Sequence, residues 1–527
     1  METYRDMSNV LITDDVDQQC VDILQSIGFN VEKDLSLAKN SEQLIEKMKN
    51  VDILIVRSAT KVTAKIIENS PRLKLIGRAG TGTDNIDTDS ATKHGILVMN
   101  TPGANTLSAA EHTCALICSL SRSIPAACAS IKSSVWERSK FMGEELNGKT
   151  LAIIGLGRIG REVAKRMQSF SMKTIGYDPI ITAEQSATFD VEFLSFDQIW
   201  PIADYITIHV PLMNETKHLI NAEVFSKCKK GVRVVNVARG GIVDEKALLE
   251  ALKTGQCGGV ALDVFEEEPP KDFTLIKHEN VIATPHLGAN TKEAQKRVAI
   301  ELAEQIRDFK MGISLIGVVN GSAVMSQFSN TNRSLLVLSR SLGELLIRIN
   351  KHEDISSPIT ISCHKSISPM VYDALAVYFS FGYLHELGNS KANFVNAQHL
   401  LEEKGIEIRM TSGKHDELLV IHMPSDHNNS SNKLNIVHEV SGTLDKERLY
   451  LCSINGHKFE NHVPLQLNRS LLVKSYYGSF YNYLRLLTYA CFVLGGDQFQ
   501  DSNVTAVYNT THSDKNGDIK WCAILTS

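Results

Sequence analysis

Long apolar runs are missing from this chain. No stretch reaches the ~18–20 apolar residues that a membrane-spanning helix needs, although hydrophobic residues make up 43% of the total. The apolar residues are therefore expected inside cores. The N-terminus lacks the apolar segment of a secretory signal and mixes acidic with basic residues, so no export is expected. An excess of one charge is missing too: 55 Lys and Arg stand against 60 Asp and Glu, a formal net charge of −5 over 527 residues. Nothing there favours nucleic acid or an anionic membrane as partner. The ten cysteines include no Cys-x-x-Cys. Cys114 and Cys118 stand four apart in an apolar helical stretch, which suits packing better than a metal. No metal site is expected. Free thiols in a reducing cytoplasm fit this usage, and sequons such as Asn509-Thr510-Thr511 then carry no meaning.

The length calls for roughly three to four domains. The most telling feature is a glycine turn. The short apolar run 149–154 reads as a buried strand and meets Gly155-Leu156-Gly157-Arg158-Ile159-Gly160 at once. A helical pattern follows, with Val163, Met167 and Phe170 on one face. A second strand, 174–177, ends at Asp178. Strand, glycine turn, helix, strand and acid form the context a dinucleotide fingerprint requires. The first glycine allows the tight turn, the second lets the backbone approach a pyrophosphate, and the third lets helix and strand pack. Arg158 and Ile159 open the helix, whose N-terminus favours phosphate. A carboxylate at Asp178 accepts from a ribose 2′-hydroxyl and repels a 2′-phosphate. NAD is the expected cofactor rather than NADP.

Three further strand ends carry polar residues. The run 232–238 ends in Ala238-Arg239-Gly240-Gly241, the run 259–265 leads to Glu266-Glu267-Glu268-Pro269-Pro270, and the run 281–285 delivers His286. Successive strand ends in an open α/β sheet bring such residues together at the ligand side. Arg239 can grip an anionic carboxylate with its planar fork. A free imidazole titrates near ~6.5, so His286 suits proton transfer at neutral pH. Glu268 can hold and tune it. Each alone has a plainer reading: a strand-capping Arg, a loop His, a solvated acid. Glu266 and Glu267 are read as solvated charge.

The segments 236–245, 261–265, 268–270 and 284–289, together with the glycine turn, resemble the D-specific 2-hydroxyacid dehydrogenases. The segments 56–63, 77–85, 136–138 and 141–143 resemble the animal-type branch of that family, which acts on 3-phosphoglycerate. The likeness is strong over about 9–320 and looser beyond. It implies catalytic Arg239, Glu268 and His286, and NAD held by Gly155, Gly157, Arg158, Ile159, Gly160, Asp178, Ala238 and Asp263, the last beside the nicotinamide amide. The substrate would meet Arg57, Arg78, Gly80, Thr81, Gly82 and, from a partner subunit, Arg138. The implied reaction is NAD-dependent oxidation of 3-phosphoglycerate to 3-phosphohydroxypyruvate, the first step of serine synthesis, in a cytoplasmic homodimer or homotetramer. Hydroxypyruvate or glyoxylate reductases share the fold without needing Arg57, Arg78 and Arg138 together. NAD(H)-sensing corepressors keep the trio but recruit peptides, and their tails look disordered, whereas this tail is apolar enough to fold.

The expected fold class is α/β. A Rossmann-type NAD domain over 104–288 would sit beside a flavodoxin-like, discontinuous substrate domain from 1–103 and 289–322. A helix over 291–310 would return to the first segment, so two closely passing connections form a hinge over the cleft. Beyond, an α+β region carries a helix at 334–349, strands at 358–363 and 418–422, a helix at 393–404 and a polar loop at 425–432. By resemblance 330–465 is an intervening regulatory-type domain. Residues 466–527 resemble an ACT module with strand, helix and two strands, shortened at its end.

Overall fold

The computed structural model describes residues 6–321, 332–349, 358–423, 439–445, 448–454 and 457–465, and the strands 471–477, 504–509, 512–514 and 517–526. The polar loop at 425–432 and the helix expected in the tail lie outside the described residues.

Short apolar strands alternate with helices over the first hundred residues and build a parallel sheet. Strands β1 (Asn9–Ile12), β2 (Asn30–Lys33), β3 (Ile53–Val56), β4 (Leu75–Arg78) and β5 (Leu97–Asn100) lie in the order β2-β1-β3-β4-β5. Every pairing is parallel, and the order is flavodoxin-like. β3 is buried throughout, as its unbroken Ile-Leu-Ile-Val requires of a strand covered on both faces. The helix Lys292–Met311 returns to this sheet. It starts where Thr291 accepts from Ala294 N and stops at Gly312, φ 71°, a side-chain N-cap and a left-handed C-cap. Leu302 lies against Gly77 of β4, and the chain beyond runs antiparallel beside β5, with Val318 opposite Met99.

The second sheet contains β6 (Thr150–Ile154), β7 (Lys173–Tyr177), β8 (Glu192–Phe193), β9 (Tyr205–Ile208), β10 (Val232–Asn236), β11 (Cys257–Leu262) and β12 (Val281–Ala283). Their order is β12-β11-β10-β9-β6-β7-β8, again all parallel. The chain runs outward from β6 through β7 and β8, then resumes at β9 on the other side. The crevice beyond the carboxyl ends of β6 and β9 is thus the switch point where such sheets take ligands. Both faces are covered: Ile154, Ile208, Val234 and Val260 pack into one core, Leu151, Ile153, Val235 and Ala261 into the other.

Phe170 departs from expectation. Val163 and Met167 are buried, but the helix Arg158–Gln168 ends before Phe170, which is half exposed. Ser171 turns left-handed, φ 57°, so the helical period that would have buried Phe170 has stopped.

The helices Thr106–Arg122 and Ile124–Lys132 form an arm bent by 65°. Among the described residues no single helix is long and apolar enough to cross a membrane.

A mixed sheet follows: β13 (Ile359–His364), β14 (Ile408–Gly413), β15 (Leu419–His422), β16 (Glu439–Asp445), β17 (Arg448–Ile454) and β18 (His457–Leu465), ordered β14-β13-β15-β16-β17-β18. Only β13 and β14 run parallel. The expected helices appear as Arg333–Ile349 and Ala397–Glu403. A third helix, Tyr372–Glu386, was not expected. It is buried on nearly every side, and a helix apolar all round has no amphipathic period to read. The last strands are β19 (Leu471–Tyr477), β20 (Val504–Asn509), β21 (His512–Asp514) and β22 (Gly517–Thr526), with β22 pairing the other three. Three strands therefore close the tail instead of two, because β21 and β22 form a short hairpin.

Candidate active site

The glycine turn stands at the switch point. Gly155 has φ 96°, and a Cβ there would meet His209 O, just beyond β9, at 2.5 Å. A Cβ on Gly160 would collide with Gly155 O. Gly157 alone of the three faces open space, which is the room a pyrophosphate needs at the backbone N–H groups of a helix start. The turn fits a dinucleotide on this observation. Arg158 reaches from the helix start to the strand connection at Gly103, and Ile159 packs inward. Asp178 ties the turn down: Oδ2 accepts from Leu156 N at 2.8 Å, and Oδ1 from Ile180 N at 2.8 Å and Ile181 N at 3.2 Å.

Beyond β10, β11 and β12 the three loops meet. His286 Nδ1 lies 2.7 Å from Glu268 Oε2, and Glu268 Oε1 accepts from Phe265 N at 3.1 Å. Burial pushes the Glu268 carboxyl up, but the His286 contact, the Phe265 N–H and the Arg239 charge outweigh it and hold the carboxyl below its usual range. The stabilisation of the ionised Glu268 carboxylate is lost as pH falls through that lowered value.

The first sheet supplies Arg57 and Arg78 to a bed of cations that Arg239 joins from the second sheet. A side chain on Gly80 would collide with the Arg78 guanidinium, and one on Gly82 with that of Arg239. Bare backbone is what lets both guanidiniums lie against this loop. Arg239 Nε binds Asp84 Oδ2 at 2.8 Å and Nη1 donates to Ala238 O at 2.7 Å. Arg78 Nε is buried without a partner. Burial first, then repulsion from Arg239 and Arg57, pulls the Arg78 pKa down to about 10. Arg57 Nη1 donates to Asp15 O at 2.9 Å. Thr81 donates to Asn105 Oδ1 at 2.8 Å, linking the loop to the start of the arm. Asp84 and Asp14 offset part of the repulsion on Arg78, and its depressed pKa shows that they do not cancel it.

Not every expected residue joins this centre. Arg138 lies on the arm, in a short turn Arg138–Phe141, and lines an open hollow of about 1020 Å³ with Trp136 and Met142. Among the described residues no side-chain hydrogen bond or ion pair joins it to the residues of this centre. Asp263 does not face an open cleft. It is fully buried, and its oxygens accept from Thr284 Oγ1, Leu287 N, Gly288 N and His112 Nε2. Its visible task is to hold the loop bearing His286. Glu266 is not merely solvated either. Its N–H donates to Glu245 Oε1 at 2.7 Å, and its Oε1 lies 3.2 Å from His218 Nε2. This ties the Arg239 loop to the Glu268 loop. Asp84, His112, Glu245 and His218 also stand at the site, without a clear mark in the sequence. Glu245 and Asp84 each stand within a few residues of a motif glycine, a faint signal; His112, alone on an apolar helix, offered none. Cys114 is inert packing, its thiol pushed up to about 12 by burial.

A dinucleotide turn at the switch point, with an Arg and a Glu–His pair at adjacent strand ends, is the arrangement of a nicotinamide-dependent oxidoreductase. The pattern of the D-isomer specific 2-hydroxyacid dehydrogenase NAD-binding domain matches residues 114–288. Human D-3-phosphoglycerate dehydrogenase is 46% identical over 482 residues, 89% of this chain and 87% of that one. Among solved structures, the D-lactate dehydrogenase of Aquifex aeolicus, complexed with NAD and lactic acid, has TM-score 0.51 and 31% identity over 58% of this chain and 96% of that one. A glyoxylate reductase from Paecilomyes thermophila has TM-score 0.54 and 28% identity over 60% and 98%. The chain belongs to the D-isomer specific 2-hydroxyacid dehydrogenase family. It is an NAD-dependent oxidoreductase.

Asp178 leads to a first prediction. An ionised acceptor hydrogen bond contributes ~1.5–3 kcal/mol, so Asp178→Ala is expected to lower the NAD over NADP preference by about tenfold or more. The Leu156 tie is lost as well, so NAD itself binds less well. The ratio of kcat/KM for the two cofactors separates the effects, and equal use of both by the wild type defeats the assignment.

Proposed function

We propose that this chain is a D-3-phosphoglycerate dehydrogenase, oxidising 3-phospho-D-glycerate to 3-phosphohydroxypyruvate with NAD at the entry to L-serine synthesis. The observation that carries it is the cation bed: Arg78 lies against Gly80 and Arg239 against Gly82, Arg57 is close enough to repel Arg78, and Arg78 Nε lacks an acceptor. A substrate with a carboxylate at one end and a phosphate at the other matches two groups of cations better than lactate or glyoxylate does. The human relative, of similar length, carries the same name.

Residues act as follows in this reading. Arg239 has Nε and Nη1 committed to Asp84 and Ala238, which leaves Nη2 for the substrate carboxylate and C2 oxygen. Arg57 and Arg78 hold the phosphate, and the Gly80-Thr81-Gly82 backbone lies along the carboxylate. His286 Nδ1 is committed to Glu268, so Nε2 takes the proton of the C2 hydroxyl. Bound NAD supplies the acceptor for the hydride leaving C2. Glu268 stabilises the imidazolium that results. Gly155, Gly157, Gly160, Arg158, Ile159, Asp178 and Ala238 hold the cofactor. Residues 1–103 with 289–322 act as the substrate lobe and 104–288 as the NAD lobe, with the hinge at their two connections. Residues 330–465 and the tail are regulatory-type units. The reading places the enzyme in the cytoplasm, supported by the free thiols of the described cysteines.

The test is NADH formation with 3-phosphoglycerate beside glycerate and lactate. Strong preference for the phosphorylated acid is expected. Equal use of glycerate favours a hydroxypyruvate or glyoxylate reductase.

We also propose a homodimer, or a tetramer built from it, in which Arg138 completes the phosphate site of the neighbouring subunit. Support comes from the arm, where Ile124, Ile131, Trp136 and Met142 are exposed on a single chain. A two-fold partner is the common cover for such a face. Mixing His286→Ala with Arg138→Ala subunits is expected to restore activity, up to about a quarter of wild type for random exchange in a two-fold dimer. Verified exchange without recovery, or a fully active monomer, refutes the role.

A further inference from the structure

We propose that His112 and Thr284 are positioning residues for the acid–base step, acting through Asp263 on the turn that carries His286. The proposal rests on the acid–base role given to His286 above.

His286 has φ 54°. The left-handed region crowds a residue with a Cβ and persists only where the surroundings over-determine it. Asp263 supplies that constraint. His286 N donates to Asp263 O at 2.9 Å. Leu287 N donates to Asp263 Oδ1 and Gly288 N to Oδ2, both at 2.7 Å. Three consecutive backbone N–H groups thus end on one residue. A Cβ on Gly288 would meet Val237 at 2.9 Å and Asp263 Oδ2 at 3.2 Å, so the turn has no slack.

Asp263 is itself held. Thr284 Oγ1 donates to Oδ1 at 2.6 Å, and His112 Nε2 lies 3.2 Å from that oxygen and 3.2 Å from Thr284 Oγ1. Burial alone would raise the Asp263 carboxyl, but these donors overcome it and hold it low, so the group stays an anion in a closed space. A buried anion depends on each donor it has. His112 sits on the arm helix Thr106–Arg122. One turn before it, Ser108 Oγ lies 2.8 Å from Thr291 Oγ1. Positions four apart share a helix face. That face therefore grips 284–291 at both ends, with the catalytic turn between them. Removing the His112 or Thr284 donor frees the carboxylate to rotate, the Leu287 and Gly288 N–H groups lose their acceptor, and the strained His286 backbone relaxes. The imidazole is then misplaced while the glycine turn, which shares none of these contacts, still binds cofactor.

The experiment uses the full chain with 3-phosphoglycerate and NAD. Wild type, His112→Leu, His112→Gln and Thr284→Val are compared by kcat, both KM values, NAD affinity by titration, and the primary isotope effect with 2-deuterio-3-phosphoglycerate. Loss of one hydrogen bond to a charged group is expected to lower kcat about tenfold or more in His112→Leu. The isotope effect on kcat rises as the chemical step becomes limiting, NAD affinity stays within about twofold, and His112→Gln, which retains a donor, recovers part of the loss. Thr284→Val changes in the same direction, keeps the packing, and carries the test by itself where His112→Leu does not fold. Wild-type kcat and an unchanged isotope effect overturn the proposal, as does a fall in kcat matched by lost NAD affinity. His286→Ala is run alongside: a wild type inactive on 3-phosphoglycerate, or an active His286→Ala, brings down the reading of the site, whereas unaffected His112 and Thr284 variants in an enzyme that passes both controls bring down this inference alone.

Discussion

His286→Ala is expected to cost about 10²–10⁴-fold in kcat, the range for a general acid–base group, with NAD affinity unchanged. The reason is placement. His286 lies beyond β12 and Gly157 beyond β6, so the proton acceptor and the pyrophosphate bed stand on different loops of one sheet. No hydrogen bond connects His286 to the glycine turn among the described residues; its ring contact is Glu268. Arg239→Ala is expected to lose a similar amount, because that guanidinium carries both substrate grip and carbonyl polarisation. It also leaves Asp84 without its partner, so Arg239→Lys, which keeps charge but not the planar fork, is the informative companion and should remain well below wild type. Steady-state kinetics with a separate NAD titration decides. Near-normal turnover in either alanine variant removes that residue from the chemistry.

Arg78→Met is expected to lower kcat/KM for 3-phosphoglycerate by about 10- to 10²-fold, the value of a charge-assisted hydrogen bond, and to change activity on unphosphorylated glycerate little. The effect on stability runs the other way. Arg78 is depressed to about 10 by burial and by its cationic neighbours, so the folded state holds this proton less well than the unfolded state does. The penalty is fully present below that value and fades as pH rises through it. Removing the charge relieves it while the stem packing is kept. The melting temperature of Arg78→Met should therefore match or exceed that of the wild type, and added 3-phosphoglycerate should raise the wild-type value more than the variant's. A variant that melts lower and discriminates against glycerate as well as wild type assigns Arg78 to scaffold and frees the phosphate from it.

What could be read directly was whatever depends on near neighbours in the chain. Strand, glycine turn, helix and acid are contiguous from β6 to Asp178. Arg239, Glu268 and His286 follow three consecutive strands, so parallel neighbours in one sheet were enough to gather them. Their chemistry was legible because residue type and strand end coincide. The helix Tyr372–Glu386 escaped because burial on all sides erases the periodicity that marks a helix. Phe170 misled because nothing in its local pattern shows where the helix stops.

Contacts between distant segments had no such signature. Gly82 looks like any loop glycine until the Arg239 guanidinium, from the other sheet, lies where its side chain would be. Glu266 looks solvated in a run of three glutamates until Glu245 and His218 are brought beside it. Asp263 sits next to a motif, but only packing encloses it, gives its carboxylate four protein donors, and joins it to His112, 151 positions earlier. Local spacing sets period, turn and strand end. Desolvation and long-range pairing set which charges meet, and they depend on how the two sheets close on each other.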